Sequence, residues 1–330
     1  MASPSSQTIL ITGASGFVAS HLIHAFLEGG YNVRGTIRSP SSIEKIKAAQ
    51  GPLSSRLSFS IVPDLSSPPS AYEDAVKGVS GIVHSASPFV MTPKDVKSEL
   101  LEPAINGTKN VLEAAAQYGG PELKRVIITS SFASILDLNK GYRPGYVYTE
   151  KDWNPATYDE AANSDNGGFA YFTFSLTTIC PPWVFGPSLN TITNLDHLNE
   201  STEAIWKLIN GSTKSIPPID FGGFADVRTV GQAHLKAFEI EEAGGERFLV
   251  GLHFDYQSAA DAIREAIPEL KDRVPEGTPG SGLNFQETLY TPDGSKAEKV
   301  LGIKYIDLKT SMVDTATGLV AAEKRLGWKA

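Results

Sequence analysis

The first half of the chain alternates two hydrophobic patterns. Short β-rich runs bounded by turn residues are separated by segments whose apolar positions recur at helical spacing. Thr8-Ile-Leu-Ile11 predicts a first strand. Val18, Leu22, Ile23, Phe26 and Leu27 predict a helix over 17–28, stopped by Gly29-Gly30. The same reading places strands at 32–38, 57–62, 81–84 and 125–129, and helices at 42–50, 71–77 and 101–118. Such alternation predicts an α/β fold, a doubly wound parallel sheet with helices on both faces. The second half is less regular and richer in Pro and Gly. Strands are expected at 176–179 and 247–250, helices at 202–209, 230–241 and 307–326, and a loop over 275–283. A larger domain over 1–182, with contributions from about 226–251, and a smaller interleaved domain over 183–330 follow from this.

Composition narrows the classes. With 330 residues, 41% hydrophobic and 20% charged, the chain is long enough for one large or two small globular domains. The net charge of −8 argues against a nucleic-acid partner, which needs a basic face. The lone cysteine, Cys180, allows no intrachain disulfide and no Cys-based zinc site, so no metal is expected. The first seven residues lack a signal-peptide pattern, and no run of about 18 apolar residues exists to span a membrane. The expectation is a soluble cytoplasmic protein with no membrane partner.

Candidate chemistry begins between the first strand and the first helix, at Thr12-Gly13-Ala14-Ser15-Gly16-Phe17-Val18-Ala19. Gly13 permits a tight turn, Gly16 lets backbone approach a pyrophosphate, and the small Ala19 lets helix and strand pack closely. The helix N-terminus adds N–H donors and a positive dipole. This predicts a Rossmann-type dinucleotide site. An NAD enzyme usually carries an acid near the end of the second strand, and an NADP enzyme an Arg. Here the strand ends Arg34-Gly-Thr-Ile-Arg38, with Lys45 beyond and no acid between Tyr31 and Ile43. Arg38 and Lys45 suit a 2′-phosphate, so NADP(H) is the expected cofactor.

Further segments fit one pattern: Pro63-Asp64-Leu65, Val83-His-Ser-Ala-Ser-Pro88, Asn106-Gly-Thr108, Ile128-Thr-Ser-Ser131, Cys180-Pro181, Val184-Phe-Gly-Pro187 and Asp226-Val-Arg228. With the loop at 12–18, they make the chain resemble the extended short-chain dehydrogenases/reductases. Within these it is similar to the dihydroflavonol-reductase-like branch, near the fungal methylglyoxal and aldehyde reductases. The resemblance covers nearly the whole chain, in order. It implies that Gly13, Ser15, Gly16, Phe17 and Val18 line the pyrophosphate and that Asp64 and Leu65 sit by the adenine. Ala86, Ser87 and Pro182 would line the groove, Ser131 would polarise the substrate carbonyl, and Tyr171 would face the nicotinamide as proton donor. Asn106 would hold a relay water or merely bond within its helix, and His84 reads as a structural histidine at a strand end. Phe89, Phe132, Trp183, Phe185 and Phe221 would supply a substrate pocket, or equally the core.

One departure stands out. The family's tyrosine is followed four residues later by a lysine on the same helical face, which lowers the tyrosine's pKa and holds the ribose. Here the fourth residue after Tyr171 is Ser175, and the chain runs at once into the next strand. The strands ending at Thr129 and starting near Leu176 should be parallel neighbours, which need a crossover. Yet residues 130–175 read as loop, with at most a short helix over 156–162. A natural deletion or splice product, a wrongly joined gene model and a diverged pseudoenzyme all account for this. Losing the helix should uncover apolar sheet surface at 126–128 and 176–179. Lys140 and Lys151 read as solvated loop lysines rather than substitutes. Thr229 stands where the family often has Asp.

The reading is therefore an NADPH-dependent ketoreductase or aldehyde reductase scaffold, monomeric or homodimeric, taking a small-molecule carbonyl substrate. The rivals are a catalytically weak dinucleotide-binding protein or faulty gene product, and a sugar-nucleotide epimerase or dehydratase.

Overall fold

The computed structural model describes residues 3–88, 93–157, 177–282 and 287–328. In order, β1 (Thr8–Ile11), α1 (Phe17–Glu28), β2 (Asn32–Ile37), α2 (Ile43–Gln50), β3 (Leu57–Ile61), α3 (Glu73–Val76), β4 (Gly81–His84), α4 (Glu102–Tyr118) and β5 (Arg125–Thr129) form the first half. They are followed by β6 (Val147–Tyr148), β7 (Thr177–Cys180), β8 (Trp183–Phe185), α5 (Glu200–Ile209), β9 (Gly223–Asp226), α6 (Val227–Glu239), β10 (Arg247–Leu249) and β11 (Leu252–His253). The chain closes with α7 (Tyr256–Ala266), β12 (Thr291–Pro292), α8 (Ser295–Leu301) and α9 (Leu308–Leu326).

Seven strands make one parallel sheet in the order β10-β7-β5-β4-β1-β2-β3. The alternation of a strand buried on both faces is visible in β1. Ile9 and Ile11 join a core with Leu22 and Phe26 of α1 and Val230 and Ala233 of α6. Leu10 joins the opposite core, with Val76 of α3 and Val111 and Ala114 of α4. Burying each such side chain is worth about 1.5–3 kcal/mol, which fixes the register. β8, β9 and β11 form a smaller sheet, and a separate core gathers Phe185, Trp206, Phe254, Ile263, Met312 and Leu319 around α5, α7 and α9.

The second half differs most from expectation. α6 starts at Val227, ahead of the predicted 230, because the Asp226 carboxylate caps it by accepting the Arg228 N–H at 2.9 Å. Thr229, the departure from the family pattern, lies inside this helix and accepts the Ile306 N–H at 3.3 Å. α7 was not predicted, although Asp255 caps it through the Ser258 N–H at 2.7 Å and Tyr256, Ala259, Ala260 and Ile263 share one face. Alanines made that face too small to stand out.

β5 and β7 are parallel neighbours, Ile127 opposite Thr177 and Thr129 opposite Ile179. Between them, residues 130–157 hold two 3-10 turns and β6, which pairs with β12, and no α-helix among the described residues. Arg247 of β10 ties this stretch down, donating to the Glu150, Asp152 and Ser134 carbonyls while Trp153 lies over its guanidinium at 3.8 Å. Tyr171, Ser175, Leu176 and most of the short helix expected at 156–162 lie outside the described residues. The apolar exposure expected along these strands is not found. Ile127, Ile128 and Thr177–Cys180 are buried, and Val126 is half-buried against the core that holds Leu10, Val76 and Val111.

Candidate active site

The strand order reverses between β1 and β4, and ligands of such sheets bind at the carboxyl ends of the strands flanking that point. Here β1 ends in Thr12-Gly13, β4 in Ser85-Ala86, β5 in Ser130-Ser131 and β7 in Pro181-Pro182. Gly13 adopts φ +71, and a Cβ there would lie 3.0 Å from that of Ala86. The loop is held by its neighbours: Gly13 N–H donates to Thr36 Oγ1 and Ala14 N–H to the Thr36 carbonyl, both at 3.0 Å. Gly16 is the N-cap of α1, and among the described residues no side chain caps this helix. Its first N–H groups are therefore left free of any described side-chain acceptor. Ser15 and Gly16 are exposed, Phe17 and Val18 half-buried.

The β3–α3 segment is fixed to α4. Asn110 Nδ2 donates to the Ser66 and Ser67 carbonyls at 3.1 and 3.0 Å, and Tyr72 Oη to the Leu65 carbonyl at 2.8 Å. Leu65 lies on Gly107, where a Cβ would come within 2.5 Å of its Cγ. Asp64 is exposed and accepts the Ser66 N–H at 2.6 Å. His84 is 4% exposed, lies between Thr12 and Thr108, and is pushed down to about 4 by burial, so it is neutral at physiological pH.

At the end of β2 the two arginines part. Arg34 donates to the Asp74, Ala75 and Lys77 carbonyls and so caps α3. Arg38 is exposed and makes no ion pair with a described residue. It precedes a serine-rich turn in which Ser39 Oγ accepts the Ser41 N–H. Lys45 is exposed on α2.

Further along the carboxyl edge, Ser131 stands two residues after β5 and is half-buried. Its Oγ accepts the Ala133 N–H at 3.1 Å, which leaves the hydroxyl proton to donate. Pro182 is buried, its ring lying where a Cβ on Gly223 or Gly251 would sit. Ser87 is exposed beyond the half-buried Ala86, and Asn106 is exposed on α4. Lys140 and Lys151 are exposed. Of the aromatic candidates, Phe132 and Phe185 are core, Trp183 and Phe221 are half-buried, and Phe89 lies outside the described residues. Sequence reasoning missed a cavity of roughly 250 Å³ beside Trp183, between α5 and α7. There Trp183 Nε1 and Tyr256 Oη donate to Asp220 at 3.2 and 3.4 Å. It also missed the holding roles of Thr12, Thr36 and Asn110, although Thr12 stood within the motif it quoted. No cluster of His, Cys, Asp or Glu able to hold a metal occurs among the described residues, nor a helix long and apolar enough to cross a membrane.

Comparison with known proteins adds a context. The model of the NAD dependent epimerase/dehydratase family matches residues 9–155. The NADPH-dependent methylglyoxal reductase of Saccharomyces cerevisiae is 32% identical over 343 residues, covering 97% of this chain and 100% of that protein. A ketoreductase of Aspergillus niger is 33% identical over 339 residues, covering 95% and 98%. The solved structure of the yeast methylglyoxal/isovaleraldehyde reductase complexed with NADPH superposes with a TM-score of 0.85 at 31% identity, covering 97% of this chain and 100% of that one.

Proposed function

The chain belongs to the NAD dependent epimerase/dehydratase family, and on that premise we propose that it is an NADPH-dependent reductase of aldehydes or ketones. The observation that carries this reading is the convergence of an uncapped α1 N-terminus, the Gly13–Ala86 contact and Ser131 on one edge of the sheet, with Arg38 unpaired at the end of β2. The relatives named for NADPH-dependent and ketone reduction support it.

The residues present fit a dinucleotide. A side chain on Gly13 would fill the space beside Ala86, and the first-turn N–H groups of α1 want an anionic acceptor. Gly13, Ser15, Gly16, Phe17 and Val18 would hold the pyrophosphate. Arg38 and Lys45 would pair the 2′-phosphate, and Asp64 and Leu65 would face the adenine. Ala86, Ser87 and Pro182 would border the groove. NADPH, when bound, supplies the hydride. Ser131 donates its free hydroxyl proton to the substrate oxygen and polarises the carbonyl, and Tyr171 donates the proton that completes the alcohol. Residues 1–182, with about 226–251, would bind the cofactor and 183–330 the substrate. The protein would act in the cytoplasm as a monomer or homodimer.

Ser175, at the position of the family's lysine, favours a second reading in which dinucleotide binds and turnover is slow. One experiment separates the two. NADPH and NADH are titrated by fluorescence, and NADPH oxidation is followed with methylglyoxal, simple aldehydes and aryl ketones. Binding with turnover establishes the reductase, binding without turnover the second reading, and absence of binding defeats both.

A further inference from the structure

The hydrogen bonds around His84 can be assigned a direction. Thr12 Oγ1 accepts the Ser85 N–H at 3.1 Å and the Ala86 N–H at 3.0 Å. A hydroxyl oxygen has two acceptor positions, and both are filled. Its remaining contact, His84 Nδ1 at 3.0 Å, must therefore receive the Thr12 hydroxyl proton. That makes Nδ1 the acceptor of a neutral ring and Nε2 its N–H. Nε2 faces Thr108 Oγ1 at 3.3 Å, and Thr108 in turn donates to the Ala104 carbonyl at 2.9 Å. The chain Thr12 to His84 to Thr108 to Ala104 is closed, with every proton placed.

It joins segments that one dinucleotide must span. At one end, Thr12 precedes Gly13 and holds the backbone of Ala86. At the other, Thr108 lies on α4 between Gly107, which carries Leu65, and Asn110, which holds Ser66 and Ser67. A single turn of α4 thus sets the distance from the loop expected at the adenine to the loop expected at the pyrophosphate.

We propose that His84, as the Nε2–H tautomer, is a positioning residue for the dinucleotide, locking the Thr12–Val18 loop to helix α4 through Thr108. The proposal rests on the dinucleotide reading above. His84 is buried behind the two loops and would act by fixing their spacing. Burial keeps the ring neutral, and a second ring proton at Nδ1 would meet an oxygen already accepting twice.

The test uses the full chain, Thr108→Val, Thr108→Ser, and two ligands: NADPH, which spans both loops, and 2′-AMP, which carries the adenosine and its 2′-phosphate but no 5′-phosphate for the pyrophosphate loop. Loss of the Thr108 oxygen should raise the NADPH Kd about tenfold and that of 2′-AMP by less than about twofold, with Thr108→Ser restoring NADPH binding. Equal weakening of both ligands, or of neither, overturns the positioning role. ¹⁵N spectra of the wild-type histidines give a second reading that needs no variant. An Nε2–H tautomer for His84 supports the proposal, and an Nδ1–H tautomer overturns it. Wild-type protein that binds neither ligand would instead overturn the dinucleotide reading, and the positioning role would fall with it.

Discussion

The phosphate side and the carbonyl side of the groove are built by different means. On the phosphate side, Thr12, Gly13, Arg38, Asp64 and Ala86 each stand within a few residues of a strand's carboxyl end, and bonds such as Gly13 to Thr36 and Asn110 to Ser66 hold them. On the side proposed for the carbonyl, Ser131 and Pro182 follow strands of the large sheet, β5 and β7. The cavity beside Trp183 is instead lined from β8, the segment before β9, α5 and α7, with Trp183 and Tyr256 both bonded to Asp220. Parallel strands thus bring the binding groups together as a consequence of the fold, whereas the groups around the substrate depend on connections that vary freely. A chain can keep the first while changing the second.

The largest expected effect tests that division directly. Inserting a family-like helix that restores a lysine four residues after Tyr171 should raise carbonyl reduction about 10²–10⁴-fold, the usual worth of a positioned acid–base group. NADPH affinity should move far less. Ordinary enzyme rates from the unmodified chain would break the comparison. Lys140→Ala and Lys151→Ala would then show whether a lysine of the loop has taken the role, and an active Tyr171→Phe would remove the tyrosine from the mechanism.

Acid should strike the two sides unequally. Burial holds His21, His84 and His234 at about 4, and all three belong to the large sheet and its helices. Their folded pKa values lie below the unfolded value of about 6.5, so the unfolded chain binds more protons between these limits. The stability they contribute is complete above about pH 6.5 and is lost progressively as pH falls toward 4. The tryptophans, at 153, 183, 206 and 328, all lie outside the phosphate side. On lowering the pH through this window, NADPH affinity should fall before tryptophan emission shifts. Simultaneous loss would show that the two sides melt as one unit.

A smaller perturbation reaches the adenine end alone. In Gly107→Val the new Cβ would lie 2.5 Å from Leu65 Cγ, so either Leu65 or α4 must move. Overpacking of this kind costs about 1–3 kcal/mol. Thermal melting should record that loss together with weaker NADPH binding. Unchanged affinity with lowered stability would detach Leu65 from the cofactor.

What the sequence disclosed follows the same line. β1, α1, β4 and β5 were legible to the residue, since each is a short apolar run or stripe closed by a strong punctuator such as Gly29-Gly30. The loop at 12–18 was legible because glycine and small residues are demanded by backbone geometry, which one motif encodes. α7 escaped because half of its buried face is alanine, β9 because Gly223-Phe-Ala-Asp226 holds no β-branched residue, and β8 because Pro181-Pro182 and Gly186-Pro187 read as punctuation around it. The Thr12–His84–Thr108 chain escaped for another reason: its members are 72 and 24 residues apart, and nothing local marks them as partners.

The smallest effect expected is the choice between cofactors. Arg34 and Arg38 lie four residues apart at the end of β2, but Arg34 is spent on three carbonyls of the α3 turn and Arg38 is exposed. NADPH should therefore bind about tenfold more tightly than NADH, near 1.4 kcal/mol, a modest value for a charged hydrogen bond. Arg38→Ala should erase this preference while leaving NADH affinity as it was. Arg34→Ala should lower the melting temperature and leave the preference intact. Lys45 is an exposed point charge on α2, so its share is screened by salt, whereas a bidentate Arg38 contact is less so. Titrating both cofactors into Arg38→Ala, Arg34→Ala and Lys45→Ala at low and moderate ionic strength resolves these shares. An Arg38→Ala protein that still prefers NADPH would move 2′-phosphate recognition away from the end of β2. The phosphate side would then no longer be the part of the site that strand ends alone determine.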